Sequence, residues 1–209
     1  MRTRIKICGI TRAEDGVVAA ELGADAIGLV FYPGSRRCVD IDAARRIVEA
    51  LPPLVTAVGL FLDADEAFVG RTIAGVPLDL LQFHGNESAA FCEQFGYRYL
   101  KAVGMAGGDP RAVAEAHPRA SALLLDGHPP GAAGGSGESF DWGRELPASH
   151  RIIVAGGLRA DNVAEAIRST TPWGVDCSSG VESAPGIKDR RRVAAFIEEV
   201  YRVERHSGH

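Results

Sequence analysis

The stretch RIKICGITRAEDGVVAAELGADAIGLVF, residues 4–31, contains two short apolar runs with one amphipathic segment between them. The runs Arg4–Cys8 and Ala26–Phe31 predict strands, because each is short, apolar and bounded by polar or glycine-containing residues. The segment Arg12–Leu22 predicts a helix. A strand, a helix and a second strand in this order predict a βαβ unit with parallel strands.

The same alternation continues to the end of the chain. The further predicted strands are Val55–Phe61, Leu78–His84, Tyr99–Val103, Ala122–Asp126, Ile152–Ala155 and Gly174–Ser178. The further predicted helices are Ile41–Ala50, Ala64–Ile73, Ser88–Phe95, Pro110–His117, Asp161–Ser169 and Asp189–Arg202. Eight strands alternating with helices in 209 residues predict an α/β fold, a (β/α)8 TIM barrel that forms a single domain over residues 1–209. A doubly wound open sheet usually has fewer strands.

The composition excludes several classes of partner. The chain is 46% hydrophobic and 24% charged, and its net charge is −4 without any long Lys/Arg run. Nucleic acids and anionic membranes require a concentrated positive field, so a small molecule is the expected partner. The longest apolar runs, such as Leu54–Leu62, are far shorter than the ~20 residues that cross a bilayer, and the N-terminus shows no signal-peptide pattern. We therefore expect a cytoplasmic protein that does not contact a membrane.

The four cysteines and six histidines are dispersed along the chain. They form neither a CxxC pair nor an HxxxH pair, which are the spacings typical of structural zinc and of helical metal sites. The sequence therefore predicts reduced thiols and no metal site.

Polar residues occur where the predicted strands end, and catalytic residues of a (β/α)8 barrel lie at the C-terminal ends of its strands. Because side chains alternate along a strand, Lys6 and Cys8 share one face of the first strand, and Ile5 and Ile7 share the other. The isoleucines suit the side that faces the helices, so Lys6 and Cys8 are predicted to point into the barrel. The other polar residues near strand ends are Gln82, His84, Lys101, Asp126 and Asp176, and their convergence predicts a site at the barrel mouth.

Each of these residues also has a structural explanation. Cysteine often packs as a small hydrophobic residue, so packing and chemistry are equally compatible with Cys8. Asp126 also fits a helix cap or a turn. His84 precedes a glycine and is better explained by a strand-terminating turn than by direct catalysis. A buried ion network is the corresponding explanation for Lys6, Lys101 and Asp176.

Two glycine-containing motifs, AGGL at 155–158 and SSGVE at 178–182, follow the last two predicted strands. The loops after strands seven and eight of such barrels commonly bind phosphate, and glycine lets an anion approach the backbone closely. The predicted phosphate-binding residues are Gly156, Gly157, Ser178, Ser179 and Gly180. The segment GAAGGSGE at 131–138 lacks the Lys-Ser/Thr ending of a P-loop and the spacing of a dinucleotide motif, so it predicts a flexible loop over the mouth.

Eight ordered motifs together are similar to those of one known family. They are KICGIT (6–11), FYPGSRRCV (31–39), VGLF (58–61), QFHG (82–85), LLLD (123–126), GGSGESFDW (134–142), AGGL (155–158) and DCSSGVESAPGIKD (176–189). Over nearly its whole length, the sequence resembles the phosphoribosylanthranilate isomerases, barrel enzymes of tryptophan biosynthesis.

The resemblance implies an Amadori rearrangement of a phosphosugar substrate, in which an aminoaldose becomes an aminoketose without a metal or a cofactor. It makes Cys8 the general base and Asp126 the general acid. It assigns the substrate carboxylate to Arg37, but Arg36 stands where the family has proline and is the alternative. The supporting residues that it implies are Lys6, Gln82, His84 and Asp176.

These roles place demands on ionisation. Lys6, on the same strand face, is expected to favour the Cys8 thiolate, whose fraction would set the acidic limb of the pH profile. Asp126 must keep its proton and therefore needs an apolar or anionic setting.

Three alternative functions have the same general pattern. They are an indole-glycerol-phosphate synthase, a histidine-pathway isomerase and a non-catalytic phosphosugar-binding barrel. A histidine-pathway isomerase is expected to have an aspartate where this chain has Cys8. The protein is expected to be a monomer or a homodimer.

Overall fold

Eight parallel strands form a closed barrel, which confirms the predicted (β/α)8 TIM barrel. The computed structural model describes residues 2–129, 131 and 140–207. Residues 206 and 207 are described by their backbone alone. The strands are β1 (Arg4–Cys8), β2 (Ala26–Val30), β3 (Thr56–Phe61), β4 (Leu80–Phe83), β5 (Tyr99–Gly104), β6 (Ala122–Asp126), β7 (Ile152–Val154) and β8 (Gly174–Cys177). The helices are α1 (Ala13–Glu21), α2 (Ile41–Glu49), α3 (Glu66–Gly75), α4 (Ala89–Glu93), α5 (Pro110–Ala116), α6 (Val163–Thr170) and α7 (Arg190–Ser207).

Each strand pairs with the next strand along the chain, and β1 pairs with β8 to close the barrel. The register places Lys6 of β1 beside Ala26 of β2 on one side and beside Asp176 of β8 on the other. Because all the strands run in the same direction, their C-terminal residues, including Cys8 and Asp126, lie at one end of the barrel.

Side chains alternate along β1 as the sequence predicts. Ile5 and Ile7 are fully buried in the apolar layer that also contains residues of the surrounding helices. Cys8 instead belongs to a small cluster at the barrel mouth. Each isoleucine that is fully buried stabilises the fold by roughly 1.5–3 kcal/mol. A second apolar cluster fills the barrel interior and includes Val58, Leu100 and Leu124.

The ends of the elements differ from the predicted ends by a few residues. Strand β4 begins at Leu80 instead of Leu78, and α7 continues to Ser207 beyond the predicted end at Arg202. The sequence did not predict two short strands after β8, namely β9 (Glu182–Ala184) and β10 (Ile187–Lys188), which pair as an antiparallel hairpin.

The described part of the connection between β6 and β7 is irregular, as expected. Its described residues, 127–129, 131 and 140–151, contain neither helix nor strand. The predicted flexible loop at 131–138 lies outside the described residues apart from Gly131. None of the helices in the described part of the chain combines the length and the apolar character that crossing a membrane requires.

Candidate active site

A cavity of about 700 Å³, counted with its open mouth, lies at the C-terminal end of the barrel. Its wall includes ten of the twelve residues that the sequence singles out as site residues. They are Cys8, Arg37, Gln82, His84, Asp126, Gly156, Gly157, Asp176, Ser178 and Ser179. The other two, Lys6 and Gly180, do not line this cavity.

Cys8 is buried at the end of β1 and faces the cavity. Its side chain fits because the neighbouring residue of β2 is Gly28, where a Cβ atom would lie 2.6 Å from the Cys8 Sγ atom. Burial raises the pKa of the Cys8 thiol above its ordinary value of 9.0, although Lys6 opposes this rise. Lys6 thus acts in the predicted direction and favours the Cys8 thiolate, but desolvation outweighs this attraction, so the net pKa of Cys8 is raised.

Lys6 forms a buried ion pair with Asp176, with 3.0 Å between the Lys6 Nζ and Asp176 Oδ1 atoms. Burial opposes the charge of Lys6, but Asp176 and Cys8 together outweigh it and raise the pKa of Lys6. The predicted network of Lys6, Lys101 and Asp176 is only partly correct. Lys101 pairs with Glu87 at 3.0 Å instead. The two buried cations thus have separate carboxylate partners.

Asp126 ends β6 and is almost fully buried. Burial raises its pKa; His128 opposes this rise, and Asp176 adds to it. The Asp126 Oδ2 atom lies 3.7 Å from the Nε2 atoms of both His84 and His128, and the Oδ1 atom has no hydrogen-bond partner. A raised pKa favours the protonated carboxyl group, which is the direction that the role predicted for Asp126 needs.

His84 and His128 form a close pair beside Asp126. Their Nε2 atoms are 2.6 Å apart, and both rings are buried. Burial, followed by the charges of His128 and Lys6, lowers the pKa of His84 to about 3. The Nε2 atom of Gln82 contacts the Nδ1 atom of His84 at 3.1 Å. His84 thus contributes its ring to the cavity wall, so a turn alone does not explain it.

Arg37, in the loop after β2, lies in the cavity wall, whereas Arg36 is exposed. The Arg37 Nε and Nη2 atoms donate hydrogen bonds to Glu182 at 2.7 and 2.8 Å. Gly9, with a φ of 74°, allows the Arg37 side chain to pass, because a Cβ atom at this position would overlap its stem. Glu182 therefore fixes the plane of the guanidinium group.

Glu182 itself is held by a second cation. The Lys188 Nζ atom donates to Glu182 Oε1 at 2.8 Å and to the carbonyl oxygen of Ser178 at 3.2 Å. Burial opposes the charge on Glu182, but Arg37 and Lys188 outweigh it and lower its pKa. The β9–β10 hairpin thus connects the Arg37 side chain to the loop after β8.

The predicted phosphate-binding glycines have different structural roles. Gly156 and Gly157 line the cavity with φ angles of 79° and 63°, a region that other residues rarely adopt. Gly180 lies behind the wall, where a Cβ atom would overlap the carbonyl oxygen of Leu158. Gly180 therefore allows the loop after β8 to pack closely on the loop after β7, beside Ser178 and Ser179.

A sequence model of the family described as N-(5'phosphoribosyl)anthranilate (PRA) isomerase matches residues 5–199. The chain belongs to this family. The N-(5'-phosphoribosyl)anthranilate isomerase of Halorhodospira halophila is 54% identical over 203 residues, which are 97% of this chain and 98% of that protein.

Solved structures of the same family have the same fold. The phosphoribosyl anthranilate isomerase of Thermus thermophilus aligns with a TM-score of 0.87 at 40% identity, covering 96% of this chain and 100% of that chain. A phosphoribosyl anthranilate isomerase in complex with reduced 1-(o-carboxyphenylamino)-1-deoxyribulose 5-phosphate aligns with a TM-score of 0.82 at 36% identity, covering 95% and 98%. The family resemblance of the eight motifs is confirmed.

Sequence reasoning missed two residues that shape this isomerase site. His128 carries no motif of its own, and its position two residues after Asp126 was the only available signal. Glu182 lies within SSGVE, which was interpreted only as a phosphate loop. Its pairing with Arg37 spans 145 positions in the chain and depends on the closure of the barrel.

The close contact between Gly28 and Cys8 gives a testable prediction. In Gly28→Ala, the new methyl group would crowd Cys8 Sγ at 2.6 Å and Lys6 Nζ at 3.1 Å, so we expect a lower free energy of unfolding, by roughly 1–3 kcal/mol, and reduced isomerase activity. Denaturant unfolding and activity measurements check this. Gly70→Ala in α3 is the matched control, because nothing lies within 4 Å of the added methyl group. Unchanged stability and activity in Gly28→Ala would contradict the proposed fit.

Proposed function

We propose that this barrel catalyses the Amadori rearrangement of N-(5-phosphoribosyl)anthranilate to 1-(2-carboxyphenylamino)-1-deoxyribulose 5-phosphate, by general acid–base catalysis and as a step of tryptophan biosynthesis. The observation that carries the proposal is the placement of a buried thiol, Cys8, and a buried carboxyl, Asp126, in the wall of one cavity. They lie on strands that are not neighbours in the barrel. A substrate bound between them would meet an acid and a base on different sides.

Asp126 acts as the general acid in this proposal. It transfers its proton to the furanose ring oxygen, the bond between that oxygen and C1′ breaks, and the anthranilate nitrogen forms a Schiff base with C1′. Burial raises the pKa of Asp126, which supports a protonated carboxyl group in the resting enzyme. The Oδ1 atom has no partner among the described residues and is available to hold that proton toward the substrate.

Cys8 acts as the general base. The Schiff base withdraws electrons from C2′, so the Cys8 thiolate can remove the C2′ proton, and the resulting enolamine tautomerises to the ketone. A raised thiol pKa makes the thiolate rarer and also more basic once formed. Each turnover leaves a proton on Cys8 and a carboxylate at Asp126, so Cys8 must release a proton to solvent and Asp126 must take one up before the next turnover.

Arg37 is the proposed clamp for the anthranilate carboxylate. Glu182 occupies the Nε and Nη2 atoms of Arg37, and no described residue accepts a hydrogen bond from Nη1. A substrate carboxylate would therefore bind the Nη1 side of a guanidinium whose plane is already fixed. Gly156, Gly157, Ser178 and Ser179 are proposed to bind the phosphate, and Gly180 supports their loop.

The remaining site residues would support these groups. Lys6 and Asp176 neutralise each other as an ion pair near Cys8. Gln82 and His84 lie in the cavity wall with Asp126. A non-catalytic phosphosugar-binding barrel would not need a paired thiol and carboxyl in the cavity wall, and the experiments below distinguish it.

The setting of the enzyme is also part of the proposal. We place it in the cytoplasm, where thiols remain reduced, since all four cysteines are free. It is either a monomer or a homodimer. Leu54 at the turn before β3 is fully exposed and is a candidate contact for a second copy. Sedimentation of the purified chain distinguishes the two states.

The catalytic pair is tested by Cys8→Ser and Asp126→Asn. Each change removes one proton-transfer group, so we expect kcat to fall by roughly 10²–10⁴-fold with a nearly unchanged KM. The measurement is a fluorescence assay with freshly generated phosphoribosylanthranilate. Cys38→Ser, at an exposed cysteine, is the control and should behave like the wild type. A Cys8→Ser enzyme near the wild-type rate would rule out Cys8 as the base.

The raised pKa values revise the expected pH profile. If the pKa of Asp126 stays below that of Cys8, as their ordinary values of 3.8 and 9.0 order them, the active form combines a minority thiolate with a protonated acid. In the wild type, kcat/KM then rises with pH until the pH reaches the pKa of Asp126 and stays level between the two pKa values. It falls only above the pKa of Cys8. The acidic limb therefore breaks at Asp126 and not at Cys8.

Asp126→Asn separates the two ionisations. Without a titrating acid, its residual kcat/KM should rise steadily with pH through the range where the wild type is level, because only the thiolate fraction changes. The measurement is the pH dependence of kcat/KM for both enzymes. A level profile in Asp126→Asn over that range would contradict the assigned order of the two groups.

The choice between the two arginines is tested by Arg37→Lys, with Arg36→Lys as its control. Lysine keeps the charge but loses the planar pair of donors, a loss of roughly 1.5–3 kcal/mol, so KM should rise about 10–100-fold with a smaller change in kcat. Arg36 is exposed, and its variant should keep the wild-type KM. The reverse pattern would assign the carboxylate to Arg36.

A further inference from the structure

We propose that His84, Asp126 and His128 form a binding site for a divalent transition-metal ion such as Zn²⁺, and that an ion bound there inhibits the isomerase. The three side chains are buried and come from β6 and from the residues that follow β4 and β6. Their donor atoms all lie within 4.8 Å of one another. The sequence predicted no metal site because it offers no HxxxH pair, and these two histidines are 44 positions apart.

The distances among the three donor atoms match the size of a zinc ion. The two Nε2 atoms are 2.6 Å apart, and each lies 3.7 Å from Asp126 Oδ2. The point equidistant from the three atoms is about 2.0 Å from each of them, close to the ~2.0–2.1 Å of Zn–N bonds and the ~2.0–2.2 Å of Zn–O bonds. Two imidazoles and one carboxylate suit Zn²⁺, Co²⁺ and Ni²⁺ better than Ca²⁺ or Mg²⁺.

The outer nitrogen of His128 already has a partner of the kind that metal-bound histidines use, and that of His84 gains one if the Gln82 amide turns over. The His128 Nδ1 atom lies 2.6 Å from the carbonyl oxygen of Pro129. The His84 Nδ1 atom lies 3.1 Å from the side-chain amide of Gln82. If that amide turns over, Gln82 Oε1 accepts the Nδ1 proton of His84, and both Nε2 atoms present lone pairs to an ion.

Unsatisfied polar atoms provide an independent observation. The described residues contain three buried side-chain atoms without a hydrogen-bond partner, and two of them, Gln82 Oε1 and Asp126 Oδ1, belong to this cluster. Buried polar atoms are rarely left unpaired. A bound ion would place a positive charge beside the Asp126 carboxylate, and a turned Gln82 amide would give Oε1 a partner in His84 in exchange for the contact that Nε2 now makes.

Neighbouring charges do not exclude a cation. The buried ammonium groups of Lys6 and Lys101 each pair at 3.0 Å with a carboxylate, Asp176 and Glu87 respectively. His84 and Asp126 also line the cavity, so a water molecule can supply a fourth ligand. Two adjustments are required, since tetrahedral coordination separates ligand atoms by about 3.3 Å. The two rings must move apart by about 0.7 Å, and the Asp126 oxygen must approach each ring by about 0.4 Å.

Binding would remove Asp126 from the reaction. A carboxylate that coordinates a metal ion cannot hold the proton that the ring oxygen needs. This inhibitory consequence depends on the proposed role of Asp126, whereas binding itself does not. The two parts of the inference can therefore fail separately.

The binding test is a Co²⁺ titration of the purified protein, followed by its visible absorbance and by Zn²⁺ competition. We expect one Co²⁺ ion per chain in the wild type, and affinity at least about tenfold weaker in His128→Gln. His150→Gln is the matched control, since His150 precedes β7 at the opposite end of the barrel and should bind like the wild type. Absence of binding, or undiminished binding in His128→Gln, would overturn the site.

A second measurement serves if His128→Gln does not fold. X-ray absorption of the cobalt-loaded wild type should show two imidazole rings and oxygen ligands at about 2.0–2.1 Å. Sulfur in the coordination shell would assign the ion to a cysteine and overturn the site.

Activity then tests the consequence. Zn²⁺ should inhibit the wild type and His150→Gln at concentrations that leave the residual activity of a folded His128→Gln enzyme unchanged. Binding without inhibition would overturn the inhibitory role and would also count against Asp126 as the acid. Loss of activity in Asp126→Asn together with an absence of metal binding would support the proposed function and reject the metal site.

Discussion

The buried ion pair between Lys6 and Asp176 is the interaction on which the site depends. It joins the first strand to the last at the place where the barrel closes. Charged groups inside a barrel are costly unless they are paired, so each of these residues requires the other. Lys6 also lies close enough to Cys8 to act on its ionisation. Closure of the fold and the electrostatics of the reacting groups thus share one contact.

Burial dominates the ionisation of the groups at the mouth that lack a charged hydrogen-bond partner strong enough to oppose it. Desolvation disfavours every charged form, so it raises the pKa of both Cys8 and Asp126 and lowers that of His84. Both shifts favour the neutral forms, a protonated carboxyl at Asp126 and a thiol at Cys8. The first shift favours the proposed acid, and the second reduces the thiolate fraction of the proposed base. The proposed reaction needs both groups, and the same burial helps the proposed acid and opposes the ionisation of the proposed base.

Much of this arrangement was predictable from the sequence. The period of the apolar runs gave the eight strands, and side-chain alternation in β1 placed Cys8 inside the barrel. The net direction of the Cys8 pKa shift was not predictable, because desolvation depends on how deeply the fold buries the thiol and not on the neighbouring Lys6 alone. The Glu182 partner of Arg37 and the His128 neighbour of His84 were missed for the same reason. Contacts between distant loops leave no periodic signal in a sequence.

The central claim is that Asp126 gives a proton to the ring oxygen of the bound sugar and that Cys8 removes a different proton from its C2′ atom. A crystal structure of this protein with the reduced aminoketose analogue tests it most directly. The account predicts Cys8 Sγ within about 3.5 Å of C2′, Asp126 facing the oxygen that was part of the ring, and the carboxylate on Arg37. A complex in which Cys8 lies away from C2′, or in which the carboxylate lies on the loops after β7 and β8, would contradict it.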